Sequence, residues 1–281
     1  MSESAKKAST KGGAATVAIV LVTSLFFVWG LAMNLVSSLN APIANYLELM
    51  QVAYYGAYFV MAIPAGAIAK KFGYKGGVIA GLALFVLGSV ITVPATNAAS
   101  FALFLVSTFV VAAGATTLEA NCNPYITKLG DEKHESMRLN LAQSFNGVGS
   151  IVGPLIMAQI LSTTVAAGQP GFAEAKTSFL ASTRGIYIVI AVVLAIMLAV
   201  FVFLKLPTPP NDVEEAGSEK AVSTGALKKP YFKLGVVAEF FYVGIQTVGF
   251  SLFATYATKV FRGVYHSGVL DYIHQRRLFT A

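Results

Sequence analysis

Charged residues are scarce in this chain, and their scarcity excludes an ordinary soluble domain. Asp, Glu, Lys and Arg make up 12% of the 281 residues, while 56% are hydrophobic and the mean hydropathy is +0.69. Soluble domains carry about 25% charged residues. Apolar runs of about 20 residues recur along the chain, which is the length of a helix crossing a ~30 Å hydrocarbon core and about twice that of a barrel strand. The sequence therefore predicts an all-α integral membrane protein.

Cysteine is nearly absent too, which excludes further kinds of site. The single Cys122 lies in an apolar segment, without a partner for an intramolecular disulfide or metal ligands at a useful spacing. We expect a small buried residue there. The spacing of His266, Asp271 and His274 is too nonspecific to predict a metal site, and no span contains a nucleophile–base pair. We therefore expect no enzyme, no metal and no cofactor.

The net charge of +7 comes from Lys and Arg residues that lie in short loops and tails. Fourteen of the twenty fall in the amino-terminal tail or after the second, fourth and sixth predicted spans. Such an excess marks cytoplasmic loops, so these residues orient the chain in a membrane and form no surface for nucleic acid. We expect a multi-pass protein of the inner (plasma) membrane with its amino terminus in the cytoplasm. The last four basic residues, all after residue 258, break the rule.

Changes in composition divide the chain into five parts. Residues 1–13 are polar and predict a solvated cytoplasmic tail, and 205–230 are rich in Pro, Glu, Ser and Lys, as in a solvated linker. Six predicted spans occupy 14–204, a seventh occupies 231–258, and 259–281 form an aberrant tail without apolar runs. The third span, 76–96, is apolar on every side and is predicted to face lipid.

One carboxylate lies inside a predicted span. Glu119 follows FALFLVSTFVVAAGATTL, a run without charge, and Asn123 shares its helix face just before Pro124. A charged side chain at membrane depth costs about 2.5–3.5 kcal/mol, and such a residue indicates a functional site by default. The alternative is a structural carboxyl held protonated or hydrogen-bonded between helices.

Amides recur on two other predicted spans. Gln143 and Asn146 lie three residues apart on the fifth span, and Asn34 lies on the first, after Trp29. Amides both donate and accept hydrogen bonds, which suits a ligand made of hydroxyls, and an indole ring stacks on a sugar. The alternative is that these residues pack between helices. An interhelical hydrogen bond made by one of the amides would then contribute about 0.6 kcal/mol.

Four further polar residues are secondary candidates. Ser37 follows Asn34 on the first span, and Glu239, Tyr242 and Gln246 share a face of the seventh. Glu239 lies near the cytoplasmic end of its span, where snorkelling to water is the alternative.

Six strings of the sequence resemble one transporter family. They are FFVWGLAMNL, VAYYGAYFVMAIPAG, KKFGYKGG, LEANCNPYITKLG, RLNLAQSFNGVGSIVGP and EFFYVGIQT, within about residues 20–258. In this order they closely resemble the fucose/galactose/glucose:proton symporters of the major facilitator superfamily. The resemblance implies the amino-terminal six-helix bundle of a major facilitator fold plus one helix of the second bundle. It also implies proton-coupled hexose transport by alternating access.

The resemblance assigns roles to residues already singled out. The proton-linked glutamate of the family motif LE-x-x-x-NP corresponds to Glu119. The sugar-contacting amides correspond to Gln143 and Asn146, and the first-span asparagine to Asn34. The family's first-span aspartate is absent, and Ser37 in this region cannot carry a proton at neutral pH. Glu119 is therefore the proton-coupling candidate.

The sequence departs from the family after residue 258, where a second bundle would continue, so we expect a truncated chain. Three alternatives follow: a nonfunctional fragment, a half-transporter that dimerises if the chain end is genuine, and a membrane sensor that binds sugar without flux. The expected partners are a small sugar, protons and the lipid bilayer.

Overall fold

A computed structural model of the chain describes residues 3–39, 47–161, 170–204, 206 and 229–245, and these residues are almost entirely helical. The helices are α1 (Glu3–Leu39), α2 (Leu47–Asn97), α3 (Phe101–Lys128), α4 (Glu135–Leu161), α5 (Phe172–Phe203) and α6 (230–245), with a 3₁₀ turn at Glu132–His134. No strand occurs in these ranges, which confirms the predicted all-α fold.

The helix α2 contains two spans joined at a kink. Gly73 has φ 71° and ψ 171° inside it, a conformation that glycine adopts without steric cost. The halves, 47–72 and 74–97, are each long enough to cross a bilayer. With the kink counted as a break, residues 3–204 supply six helices within the described ranges, which fits the predicted six-helix bundle.

Two helices begin earlier than hydropathy predicts. The first, α1, starts at Glu3 and runs through the polar stretch predicted as a solvated tail, while α5 starts at Phe172, before the apolar run that begins at residue 185. Both extensions contain Ala, Lys and Glu, which favour helix, together with polar residues that keep the local hydropathy low. The apolar part of α1 remains Ala15–Asn34.

Among the described residues, four helices are long and apolar enough to span a membrane: α1, α2, α3 and α5. The fifth span of the sequence analysis, α4, is not one of them. Its first half carries the amides Asn140, Gln143 and Asn146, which lower its hydropathy. Two of the predicted sugar-contacting amides, Gln143 and Asn146, therefore lie on a helix that is less apolar than the four candidate spans.

Side-chain contacts place the predicted loops at two opposite ends of the bundle. Lys75, at the α2 kink, donates to the Leu204 carbonyl 2.8 Å away, and the Lys128 ammonium lies 4.9 Å from the Tyr74 ring centroid. The loops after the second, fourth and sixth spans thus meet at one end. At the other end, Arg184 donates to Asn97. The distribution of basic residues predicted that the loops after the second, fourth and sixth spans lie on one side of the membrane, and the structure groups these three loops at one end of the bundle.

The prediction that the third span faces lipid on every side is wrong. One face of the second half of α2 is fully buried against α3. A Cβ added at Gly81 would lie 2.9 Å from the Leu118 nitrogen, and one added at Gly88 would lie 2.6 Å from the Val111 nitrogen. Ser107 of α3 also donates to the Gly88 carbonyl. Glycines at these positions let the two backbones approach closely, which a hydropathy profile does not register.

The helices α1–α5 form one compact unit, in which α2 packs on α3 and α5 while α1 packs on α4. The second unit begins at residue 219, within the predicted linker, and contains α6.

Candidate functional site

Glu119 lies on α3, partly buried, on the face that meets the first half of α2. The Tyr58 side chain of α2 lies beside its carboxyl. The ring centroids of Tyr58 and Tyr54 are 5.3 Å apart. The predicted intramembrane carboxyl therefore adjoins two tyrosines to which the motif comparison assigned no role. The spacing of Tyr54 and Tyr58, four residues apart on one helix face, was the available signal.

An amide pair adjoins this carboxyl. Gln143 of α4 donates from Nε2 to Oδ1 of Asn123 at 3.0 Å. Asn123 lies one helical turn beyond Glu119 on α3. The structure thus brings the predicted site residues Glu119 and Asn123 of α3 and Gln143 of α4 into one region, beside Tyr58 of α2. We call these four residues the polar cluster.

Asn34 and Asn146 lie in the contact between α1 and α4. The Asn34 Nδ2 donates to the Ser150 hydroxyl at 2.9 Å and to the Gly30 carbonyl at 2.8 Å. The Asn146 Nδ2 donates to the Phe26 carbonyl at 3.2 Å. Their amide nitrogens therefore make the helix-packing contacts that the sequence analysis weighed as the alternative to ligand binding. Ser150, one turn after Asn146, was missed.

Trp29 packs in the hydrophobic core. Its side chain is only 8% exposed, and its ring meets Phe26 edge-on with centroids 5.8 Å apart. In this conformation the ring fills volume inside the bundle, so the sugar-stacking role predicted for it is not supported here. Cys122 is 1% exposed, which confirms the prediction of a small buried residue.

Two of the four secondary candidates have described side chains. Glu239 and Tyr242 are exposed on α6, which belongs to the second unit. Gln246, His266, Asp271 and His274, together with the side chain of Ser37, lie outside the described part of the chain. Within that part, no three His, Cys, Asp or Glu side chains are grouped so as to hold a metal ion.

Arg138 is a structural residue that the sequence analysis counted only as a loop charge. Its side chain is buried and caps the carboxyl end of α3, donating to the carbonyls of Ile126, Thr127 and Asp131 at 3.2, 2.6 and 2.8 Å. The carbonyls of Ile126 and Thr127 belong to the last turn of α3, which a helix end leaves without intrahelical partners, and Asp131 lies in the loop that follows. The His134 imidazole lowers the pKa of the neighbouring Asp131 carboxyl below its ordinary value, and Arg138 adds to this effect.

Replacing Arg138 should loosen the junction of α3 and α4. Arg138→Ala leaves buried carbonyls unsatisfied, at about 1–3 kcal/mol for each such group, so we expect a lower temperature of unfolding in detergent. Arg138→Lys keeps the charge but loses the planar fork and should recover only part of the stability. The exposed Lys133→Ala serves as the control. Equal unfolding temperatures for Arg138→Ala and Lys133→Ala would contradict the capping role.

Comparisons with known proteins agree with this arrangement. The family profile of the Major Facilitator Superfamily matches residues 14–273, continuing past the last of the quoted motifs. The L-fucose-proton symporter of Haemophilus influenzae is 36% identical over 268 residues, covering 87% of this chain and 62% of the relative. The Escherichia coli L-fucose-proton symporter is 31% identical over 276 residues, covering 92% and 63% respectively. A glucose/galactose transporter of Brucella abortus is 33% identical over 236 residues, covering 82% and 55%.

Solved structures give the same result. A single-residue variant of the Escherichia coli fucose:proton symporter FucP matches with a TM-score of 0.75, and FucP in the outward conformation matches with 0.73. Both are 31% identical and are matched over 88% of this chain and 64% of theirs. The chain therefore spans a little under two thirds of the length of these symporters. The matches confirm the resemblance carried by the motifs, and the chain belongs to the Major Facilitator Superfamily.

Proposed function

We propose that this chain provides the first six-helix bundle of a proton-coupled sugar transporter in the inner membrane, with its amino terminus in the cytoplasm. One observation carries the proposal: a carboxyl inside a span, Glu119, lies one turn from an amide pair supplied by two helices. The relatives named as L-fucose-proton symporters and glucose/galactose transporters support the sugar and the proton as substrates.

Glu119 is the proposed proton carrier. Its partly buried carboxyl changes from charged to neutral when it takes a proton, and a neutral group is much less costly to enclose in a low-dielectric interior. Protonation therefore favours conformations in which the site is closed to water. A ligand shifts an equilibrium only by its differential affinity for the two states. A proton bound from the outer side would thus favour the closed conformation of the bundle. Its release on the inner side would return the bundle to the conformation that opens to water.

Gln143, Asn123, Asn34 and Asn146 are the proposed sugar contacts. Gln143 uses one N–H on Asn123, and its amide has a second N–H and an oxygen with which to bind hydroxyls. The nitrogens of Asn34 and Asn146 hold α1 against α4, so we assign their sugar contacts to the amide oxygens. In transporters built of two bundles, the site lies between the bundles near mid-membrane. Glu239, Tyr242 and Gln246 of the predicted seventh span remain secondary candidates for sugar contacts.

Reconstitution tests this proposal. The purified chain in proteoliposomes should take up labelled L-fucose, D-galactose or D-glucose when the outside is made acidic, and an uncoupler should reduce uptake to the level of passive exchange. Protein-free vesicles give the background. Binding of sugar without uptake would favour a sensor, and a requirement for a cross-linkable dimer would favour a half-transporter. Uptake that is insensitive to the uncoupler would contradict proton coupling.

A further inference from the structure

Asn121 is a fully buried amide of α3 that is not among the proposed sugar contacts. We propose that Asn121 is a positioning residue, which locks α3 between the two halves of α2 and thereby fixes where α3 presents Glu119 and Asn123. The inference rests on the proposed function for the roles of those two residues. The contacts that carry it belong to α2 and α3 alone.

The Asn121 amide contacts both halves of α2. Its Nδ2 donates to the Thr117 carbonyl of its own helix at 2.7 Å and, across the helix contact, to the Ala65 carbonyl in the first half of α2 at 3.5 Å. Its Oδ1 lies where a Cβ at Gly77, in the second half of α2, would be. One side chain therefore joins three helical segments.

The oxygen of this amide explains the glycine at position 77. Within the described ranges the Asn121 Oδ1 has no hydrogen-bond partner, although it is fully buried. Only a residue without a side chain can come this close to it, and the Cα–H group of such a residue is a weak donor to oxygen. A methyl group at Gly77 would overlap the amide. Asn121 and Gly77 thus form one interlocking contact.

The interlocking contact fixes the rotation of α3 about its own axis. A shift of α3 by one residue turns each side chain by about 100°. The Asn121 amide would then lose the Ala65 carbonyl, and a buried amide without hydrogen bonds is costly. Glu119 and Asn123 share the opposite side of the helix, because each lies two residues, or about 200°, from Asn121. The rotation that seats the amide is therefore the one that presents Glu119 and Asn123 together.

A pair of substitutions tests the interlocking contact. Gly77→Ala places a methyl group on the amide, and we expect it to lower the unfolding temperature in detergent by about 5 °C. Adding Asn121→Ala removes the amide and leaves room for the methyl group, so the double variant should regain most of this loss. Gly66→Ala is the control, since its Cβ meets no atom within 4 Å, and it should unfold like the parent. An equal effect of Gly77→Ala with and without the Asn121 amide would contradict the contact.

The Glu119 carboxyl reports the positioning role without requiring transport. Infrared difference spectra of the purified full chain, recorded between neutral and acidic pH, give the C=O stretching band of protonated carboxyls, and the band lost in Glu119→Gln identifies Glu119. In Asn121→Ala we expect this band to change frequency, because a changed rotation of α3 alters the surroundings of the carboxyl. The change should persist in the double variant, whose packing is restored without the Ala65 hydrogen bond. Gly66→Ala should leave the band unchanged.

A Glu119 band at the parent frequency in both Asn121→Ala and the double variant would overturn the positioning role and leave Asn121 with packing alone. Asn121→Ser keeps a donor for the Thr117 carbonyl but is too short to reach Ala65, so it should shift the band as Asn121→Ala does. It provides a further test if Gly77→Ala does not yield folded protein, and a parent band in this variant would contradict the role of the interhelical bond. Circular dichroism and gel filtration report folding.

The positioning role and the proposed function fail separately. A shifted Glu119 band in the Asn121 variants, together with sugar uptake by the parent that ignores the proton gradient, would refute the proposed function and leave the positioning role intact. Proton-coupled uptake by the parent together with an unshifted band in the Asn121 variants would do the reverse.

Discussion

Alanine at Gly149 should separate α1 from α4 and destabilise the bundle. A Cβ at this position would lie 2.4 Å from the Phe27 carbonyl oxygen and 2.6 Å from the Leu31 nitrogen. Both are backbone atoms, so the clash is relieved only by moving one helix. Overpacking of this kind costs about 1–3 kcal/mol, occasionally more. We expect a clearly lower unfolding temperature in detergent and a smaller monodisperse fraction on gel filtration.

Gly147→Ala is the matched control for this substitution. It lies two residues earlier on α4, and a Cβ there meets no atom within 4 Å. Since alanine favours helix over glycine by about 1 kcal/mol, this variant should be as stable as the parent or slightly more so. Equal losses of stability in Gly147→Ala and Gly149→Ala would show that the α1–α4 contact is not as close as described. Because the Asn34–Ser150 hydrogen bond crosses the same contact, Gly149→Ala should also weaken sugar binding.

Glu119→Gln should abolish proton-driven accumulation while leaving sugar exchange measurable. The amide has nearly the shape of the carboxyl and retains an oxygen that accepts hydrogen bonds, so the site should persist. It cannot take up or release a proton in the working pH range. A gradient of one pH unit supplies about 1.4 kcal/mol per proton, or about tenfold accumulation at one proton per sugar. We expect this accumulation to fall to the level of equilibration.

Uptake under a pH gradient and exchange without one are measured on the same vesicles. Glu132→Gln, on the exposed 3₁₀ turn, removes one carboxylate elsewhere and should behave as the parent. Loss of both uptake and exchange in Glu119→Gln would assign this residue to sugar binding rather than to proton coupling. Undiminished accumulation would reject the proton role.

The sequence predicted the helical fold and much of the polar cluster for clear physical reasons. Apolar runs of membrane length set the spans, and α3 begins at Phe101, where the uncharged run FALFLVSTFVVAAGATTL begins. Glu119 and Asn123 share a face by helical periodicity, so any helix packed there meets both. Periodicity does not determine which helices are neighbours, so the contact of Asn123 with Gln143 of α4 is known only from the structure.

The details that sequence did not predict depend on tertiary contacts. Asn34 and Gln143 are both amides on polar faces, yet the first bonds to Ser150 within a helix contact and the second is exposed beside Asn123. The third span is buried because its glycines Gly81 and Gly88 contact the α3 backbone. Arg138 caps α3 because the turn before α4 brings its side chain back to the end of α3. Composition alone assigns such residues to lipid or to solvent.

The measurement that tests the central claim most directly is the pH of a lightly buffered suspension of proteoliposomes when sugar is added outside. If Glu119 carries a proton with each sugar, the parent chain should make the medium alkaline as sugar enters, and Glu119→Gln should move sugar without a pH change. Alkalinisation of equal size in Glu119→Gln, or sugar entry into parent vesicles without any pH change, would contradict the account.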